Sequence, residues 1–380
     1  MKILYDYQIF DMQRFGGISN SFVKLIENLP NGIEYEIALR ESDNIHLIDS
    51  ELSVEFESRK LYEGNFISTK NFKGKSLLYR LCSKLLPNLT TLGRNRQCSI
   101  DGLKRGSFDI FHPTFFDPYF LQYINNKPFV LTVHDMIPEK YFQGKDLQKE
   151  YKKLLCDKAS HIVVVSNQTK QDLIKMLNIP DNKISVVYHG APLYPNVEST
   201  KPIVDGRYFL YVGQRNSYKN FIPMVKGLAK FLSDIYDIKL ICTGPEFTEY
   251  ELLTFNQLGI SQRIKHIYAN DSDMYSLYAN ALCFIYPSLY EGFGIPILEA
   301  YSAHCPILLN HTSCFPEIAQ DAAIYFHLDN KNSDLEFVMD HFLSMTSQEK
   351  QNLIEKQNER LMFFSWEKAS SKLAQVYKSV

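Results

Sequence analysis

Between Tyr286 and Ala300 the chain reads YPSLYEGFGIPILEA, with two carboxylates: Glu291 in a glycine-punctuated turn and Glu299 about two helical turns further on. The run before it, Ala281-Leu282-Cys283-Phe284-Ile285-Tyr286, is apolar like a buried strand, and Pro296 stands where a helix accepts proline, near its first position. Strand, loop and helix therefore build one site. Gly292 and Gly294 let backbone come close to a ligand, and the first helical turn offers unpaired N–H groups and a positive dipole end to an anion. A phosphate suits such a place. The flanking carboxylates are acceptors for hydroxyl groups on the same ligand.

Other polar groups also follow apolar runs. Arg207 to Gly213, a strand pattern, leads into Arg215 and Lys219, two cations next to a helix that starts near Asn220. Arg can grip phosphate oxygens in pairs and Lys supplies a point charge, so together they can stabilise a leaving group that becomes more negative. Gly16 and Gly17 lie between a first strand pattern, Lys2 to Phe10, and a helical pattern, Ser19 to Leu29, with Ser19 or Asn20 as cap. On its own the glycine pair is either a tight turn or a ligand loop, and it is not the G-x-G-x-x-G of dinucleotide binders. His112 and His134 each end a short apolar run, and the carboxyl ends of parallel strands are where ligands bind, so both would face one crevice. For His112 the plainer reading is a packed, hydrogen-bonded histidine. Asp135 either orients His134 or touches a second substrate.

Three segments, Glu291 to Ala300 (EGFGIPILEA), Tyr211 to Asn220 (YVGQRNSYKN) and Thr132 to Asp135 (TVHD), resemble the motifs of the retaining family 4 glycosyltransferases. The resemblance covers nearly the whole chain and is strongest from Tyr211 to Ala300. It implies the GT-B α/β architecture, two facing Rossmann-like doubly wound domains with an interdomain cleft. It also implies roles: His134 and Glu291 as catalytic residues at the transferred sugar, joined there by Gly292 and Phe293. Glu299 would bind the ribose. Arg215, Lys219, Gly16, Gly17 and the amides of Gly294 and Ile295 would hold the diphosphate. Attack from the front face, without a protein nucleophile, follows from the same likeness. No cofactor and no essential metal are implied, only a nucleotide-diphosphate sugar as co-substrate. The opening DYQIFDMQRFGGIS, Asp6 to Ser19, is similar to bacterial mannosyltransferases of surface polysaccharide and lipopolysaccharide synthesis. GDP-mannose is then the first donor and a UDP-sugar the second, with a glycan or lipid-linked saccharide as acceptor. Similar enzymes surround the base with the ends of the strand patterns Ile238 to Gly244 and Ile264 to Tyr268, largely through backbone groups.

Three other classes compete. A nicotinamide oxidoreductase needs G-x-G-x-x-G after a strand and an acidic residue about 20 positions on, and neither is evident. A phosphorylase needs a pyridoxal lysine and a longer chain. A non-catalytic nucleotide-sugar binding protein would be expected to lack one of His134, Arg215, Lys219 or Glu291, and all four are present.

The elements that must position these groups divide into two domains, as 380 residues exceed one ordinary core. Residues 1–190 form an acceptor-side domain, 191–206 a linker with Pro192, Pro195 and Pro202, and 207–361 a donor domain. The final stretch, about 362–380, is a helix expected to pack back on the first domain through Trp366, Leu373, Val376 and Tyr377. Pro316-Glu317 reads as a helix start. A net charge of −2 gives no argument for nucleic acid. Seven cysteines without a C-x-x-C pair read as reduced core residues. Neither a secretory signal nor a long apolar span is evident, which points to the cytoplasm. From Gly64 to Ile100 there is no acidic residue, while Lys70, Lys73, Lys75, Arg80, Lys84, Arg94 and Arg96 interleave with leucines. That stretch is either a solvated helix face or a peripheral contact with the inner face of the cell membrane.

Overall fold

The computed structural model describes residues 1–144, 146–192, 201–215, 217–329 and 333–380, with only the backbone of Asp271. The chain separates into two compact units, one of residues 1–165, 169–189 and 366–380, the other of 166–168 and 190–365. Of the expected linker, residues 193–200 lie outside the described residues.

In the first unit short apolar runs pair as parallel strands: β1 (Lys2–Tyr5), β2 (Glu34–Ile37), β3 (Ile110–His112), β4 (Val130–Val133), β5 (His161–Val164) and β6 (Ile184–Val186). Two three-stranded sheets result, β2-β1-β3 and β4-β5-β6. A parallel bridge between Phe111 and Phe129, with the Phe111 amide donating to the Pro128 carbonyl at 3.1 Å, joins them edge to edge. β1 is shorter than its apolar pattern. Buried Asp6 stops it by accepting from the Thr114 amide at 2.9 Å and the Thr114 hydroxyl at 2.7 Å, and the chain turns at once into the helix Gln8–Met12. The next helix, Gly17–Glu27, starts earlier than expected and is capped at Gly16, not at Ser19 or Asn20. The Gln13 side chain accepts from the Ser19 amide at 3.1 Å and so supplies the cap from upstream.

The last helix, Trp366–Lys378, packs within this first unit. Ser370 donates to the Leu25 carbonyl at 2.8 Å, and the Tyr377 hydroxyl meets the Tyr5 hydroxyl at 2.8 Å and His112 Nδ1 at 2.6 Å. His112 Nε2 meets the Thr132 hydroxyl at 2.8 Å. With no exposed surface and both ring nitrogens engaged, His112 belongs to the core and not to a ligand crevice. Burial, and then the neighbouring His134, push its imidazole down to about 3, so it stays neutral.

The second unit contains β7 (Arg207–Tyr211), β8 (Ile238–Cys242), β9 (Ile264–His266), β10 (Cys283–Tyr286), β11 (Ile307–Asn310) and β12 (Ile324–Phe326). All run parallel in the order β9-β8-β7-β10-β11-β12. Direction of winding reverses between β7 and β10, where Phe209 faces Cys283 and Leu210 faces Phe284. Phe209, Leu240, Cys283, Ile285 and Leu308 form one dry layer under the helices Phe221–Asp234 and Leu335–Ser344. β2 and β12 are edge strands paired on one side only; β2, EYEI, is half charged, and β12, IYF, is three residues long.

Tyr377→Phe deletes the hydroxyl that joins Tyr5 and His112, leaving buried partners unsatisfied. It should cost about 1 to 3 kcal/mol in urea unfolding followed by fluorescence of Trp366, which stands on the same helix. An unchanged midpoint would mean that the network does not hold the helix.

Candidate active site

In a doubly wound sheet, loops on either side of the reversal diverge and leave a crevice at the carboxyl ends of the strands. In the second unit those loops are the ones after β7 and β10. They are tied to each other by the Leu289 amide, which donates to the Tyr218 carbonyl at 2.8 Å. This link sets Lys219 beside Glu291, with Nζ to Oε1 at 2.7 Å. Both side chains are largely buried, and the Tyr286 hydroxyl reaches the same carboxylate. Burial first, and the Glu291 charge second, raise the Tyr286 phenol well above its ordinary range. Ser313 fastens the turn from below: its hydroxyl accepts from the Glu291 amide at 3.1 Å and donates to the Glu291 carbonyl at 2.9 Å.

Gly294 caps the helix Ile295–Ser302 with φ 88° and ψ 56°, the left-handed region that favours glycine. A Cβ there would come to 3.2 Å from both Ile297 and Phe315, so space and backbone both select glycine. Pro296 lies in the first turn, where its missing N–H costs nothing. Among the described residues the amides of Gly294 and Ile295 donate to no protein acceptor. Glu299 stands one helical turn beyond, with Oε2 accepting from the Tyr278 hydroxyl at 2.9 Å. The structure thus brings Lys219, Glu291, Gly292, Phe293, Gly294, Ile295 and Glu299 to one end of one sheet. They can offer one cation, two carboxylates and a helix amino end to a ligand that is part anion and part polyol.

Arg215 stands apart from Lys219. Its guanidinium does not join Lys219: Nε pairs with Glu251 at 2.7 Å, and Nη2 donates to the Pro245 and Glu246 carbonyls at 2.5 and 2.6 Å. The group lies over the Phe247 ring at 4.8 Å, and its side chain is 4% exposed. An arginine with its charge matched and its donors engaged in this way holds the loop after β8. Asn220 and Asn310 are structural residues too, both donating to the Leu328 carbonyl. Tyr278, Tyr286 and Ser313 were not singled out from the sequence, because a hydroxyl on a helix or loop gives no spacing signal of its own.

The remaining candidates lie in the first unit. Gly16 and Gly17 open the helix Gly17–Glu27, and that amino end is already served in part by Gln13. His134 follows β4, its ring stacked on His189 at 5.9 Å and edge-on to Phe22 at 5.9 Å. Its Nε2 is buried with no partner among the described residues. Burial, and then the Lys152 ammonium, lower its imidazole to about 4. Asp135 accepts from the Ile137 amide at 2.9 Å, while its carbonyl takes a bond from buried Lys152, which also pairs with Glu139 at 2.8 Å. Of the cations in the 64–100 stretch, Lys75 is buried on the Gly64 and Ser68 carbonyls and Arg94 pairs with buried Glu41, so those two are not a free surface.

Strand order and the phosphate-ready turn define a class before any particular relative. The solved structure of Anabaena HepE in complex with UDP and glucose matches the chain with a TM-score of 0.71 at 15% identity, covering 100% of both chains, and the fold is GT-B. The family models Glycosyltransferase Family 4 and Glycosyl transferases group 1 match residues 57–193 and 196–360, and the chain belongs to the family 4 glycosyltransferases. Among curated relatives, the O-antigen chain mannosyltransferase RfbU of Salmonella typhimurium is 27% identical over 208 residues, 53% of this chain and 58% of that protein. O-antigen chain mannosyltransferase B of Escherichia coli is 27% identical over 293 residues, 71% of this chain and 74% of that protein. The chain thus spans little more than half the length of the first relative and about three quarters of the second.

Two outcomes follow from the geometry. Arg215→Gln leaves Glu251 buried without its cation and should cost about 3 to 5 kcal/mol of stability, with nucleotide affinity at permissive temperature nearly unchanged; calorimetry on the variant checks both. His134 should titrate near 4 by NMR, not at its ordinary 6.5. Because an unfolded imidazole takes up its proton near 6.5 and the folded one does not, His134 favours folding fully above that pH and progressively less as pH falls towards 4.

Proposed function

We propose that the chain is a retaining hexosyltransferase that moves mannose from GDP-mannose to a glycan or lipid-linked saccharide acceptor in bacterial surface polysaccharide synthesis. The observation that carries the reading is the pairing of Lys219 with Glu291 beside the free amides of Gly294 and Ile295. The curated names of the two O-antigen mannosyltransferases support mannose as the sugar.

In this reading the diphosphate takes the place of Glu291 at Lys219. The cation then stabilises the charge that develops on the leaving oxygen, helped by the helix amino end and by Gly16 and Gly17. Glu291, released from the ion pair, accepts from hydroxyls of the transferred sugar together with the Gly292–Phe293 turn. Glu299 accepts from the ribose, and His134 hydrogen-bonds the sugar through Nε2 as a neutral imidazole. The acceptor oxygen bonds to the anomeric carbon on the face that the diphosphate leaves, and the departing phosphate receives the acceptor proton. No metal is required in this scheme. Electrostatics and positioning supply the rate. Peripheral residence at the inner face of a membrane goes with a lipid-linked acceptor.

Lys219→Ala and Glu291→Ala should each lower turnover about 100-fold or more while the thermal midpoint stays within a few degrees. Turnover at the parent level in either variant would remove this site from the reaction. Calorimetric titration with GDP, UDP and ADP without added metal selects the donor. Preference for GDP supports the mannose reading, preference for UDP replaces the sugar donor, and binding of none favours a non-catalytic protein.

A further inference from the structure

The turn after β4 carries His134 and Asp135, and a buried cation holds it in place. Lys152 lies on the helix Leu147–Lys158, and its side chain is 1% exposed. Nζ donates to the Asp135 carbonyl at 3.1 Å and to Glu139 Oε2 at 2.8 Å, and it lies over the Phe116 ring at 5.3 Å. Glu139 belongs to the short helix Ile137–Tyr141, which the Asp135 carboxylate helps to start by accepting from the Ile137 amide at 2.9 Å. One ammonium thus ties the turn to the helix that follows it. Lys152 and His134 both line a cavity of about 220 Å³, together with Met12, Phe115, Phe116 and Gln148.

Folding alone does not explain a cation here. Taking an ammonium and a carboxylate out of water costs about what their attraction returns, and a pair of apolar side chains of similar size would stabilise as well. Glu139 is not even fully engaged, since its Oε1 is buried with no partner among the described residues. What the pair achieves is local: it fixes the carbonyl next to His134 and puts a positive charge near the ring. Around that ring, His189 is stacked on it and His112 lies at the end of β3; burial, and then His134, push both imidazoles down to about 3, so they are neutral at ordinary pH. From the helix Gly17–Glu27 the neighbour is Phe22, which is apolar. The Asp135 carboxylate meets the Ile137 amide, and the Glu139 carboxylate meets Lys152. After burial it is the Lys152 ammonium that lowers the His134 imidazole.

We infer that Lys152 is the positioning residue for His134: it fixes the turn at Asp135 that aims the imidazole, and its ammonium stands where a second cation would be repelled. Lys152 touches no substrate in this scheme and acts through His134. The inference deepens the proposed function and rests on it for what His134 binds, the transferred sugar. Coupling of Lys152 to His134 stands on the first unit alone.

The test uses the full chain with Lys152→Met and, since that change strands Glu139, also with Lys152→Met and Glu139→Leu together, in which an apolar pair replaces the ion pair. NMR titration of His134 without ligand is the first readout. Both variants should hold the imidazole proton about tenfold more tightly than the parent, whose ring titrates near 4, while Lys152→Arg keeps the cation and should titrate as the parent does. Turnover is the second readout. With His134 misdirected, kcat for GDP-mannose should fall about tenfold while KM stays within about twofold, and the acid limb of the kcat profile should move up with the His134 titration. Lys152→Arg should restore most of kcat. A merely structural lysine would lower the thermal midpoint and leave both the titration and the acid limb in place. The parent's His134 titration in a folded Lys152→Met chain or its double variant overturns the inference, as does a loss of kcat that Lys152→Arg fails to restore. If the parent transfers no sugar, the proposed function falls, and the NMR titration still decides whether Lys152 governs His134.

Discussion

Parallel pairing of β7 with β10 is the constraint on which the donor site depends. Neighbouring parallel strands must be joined by crossovers, and here the crossovers from these two strands run to opposite sides of the sheet. Their outgoing loops cannot pack over each other, so an opening remains above the strand ends. Into it project Lys219 from one loop and the Glu291–Gly294 turn from the other, stitched by a single backbone bond from Leu289 to Tyr218. Every polar group proposed to meet the donor in the second unit comes from these two loops or from the helix that the second one begins.

Two cations lie four positions apart on the first of those loops, and their fates differ because their partners differ. Lys219 meets a carboxylate at the crevice, a pair that a diphosphate can replace charge for charge. Arg215 meets Glu251, carbonyls and two phenylalanine rings, with the two charged side chains themselves almost fully buried. Removing an arginine from such a nest would strand a buried carboxylate, so its role is to hold the loops. The two share a loop and a sign of charge. Lys219 alone of the two pairs with Glu291.

In the first unit, buried histidines divide in the same way. His112 has both nitrogens bonded, to Tyr377 and Thr132, and thereby holds the C-terminal helix to β1 and β3. His134 is also deprived of its charge by burial but keeps Nε2 without a partner among the described residues. A neutral ring with an unspent nitrogen is suited to bind a hydroxyl, and the small cavity beside Met12 and Phe116 lies against it. The helix Lys75–Leu85 turns Tyr79 and Ser83 to its own core and exposes a row of leucines, since a helix presents each row only once per turn.

The family, the two-unit α/β organisation and the strand–turn–helix at Gly294 were legible in the chain itself, because each depends on local rules: apolar runs for buried strands, a glycine for a left-handed cap, a proline for a first turn. Edge strand β2 was not legible, since a strand paired on one side needs no apolar run, and β12 is only three residues long. Nor could spacing alone assign Arg215 and Lys219, or His112 and His134, to different duties. Charge type and strand position are equal within each pair. What separates them is whether Glu251, Tyr377 and Thr132, distant in sequence, come within bonding distance, and that is decided only when the sheets close. The 64–100 stretch shows the same division. Its basic, leucine-rich character was evident from composition, but that Lys75 and Arg94 serve the fold follows from where the Gly64 carbonyl and Glu41 lie in space.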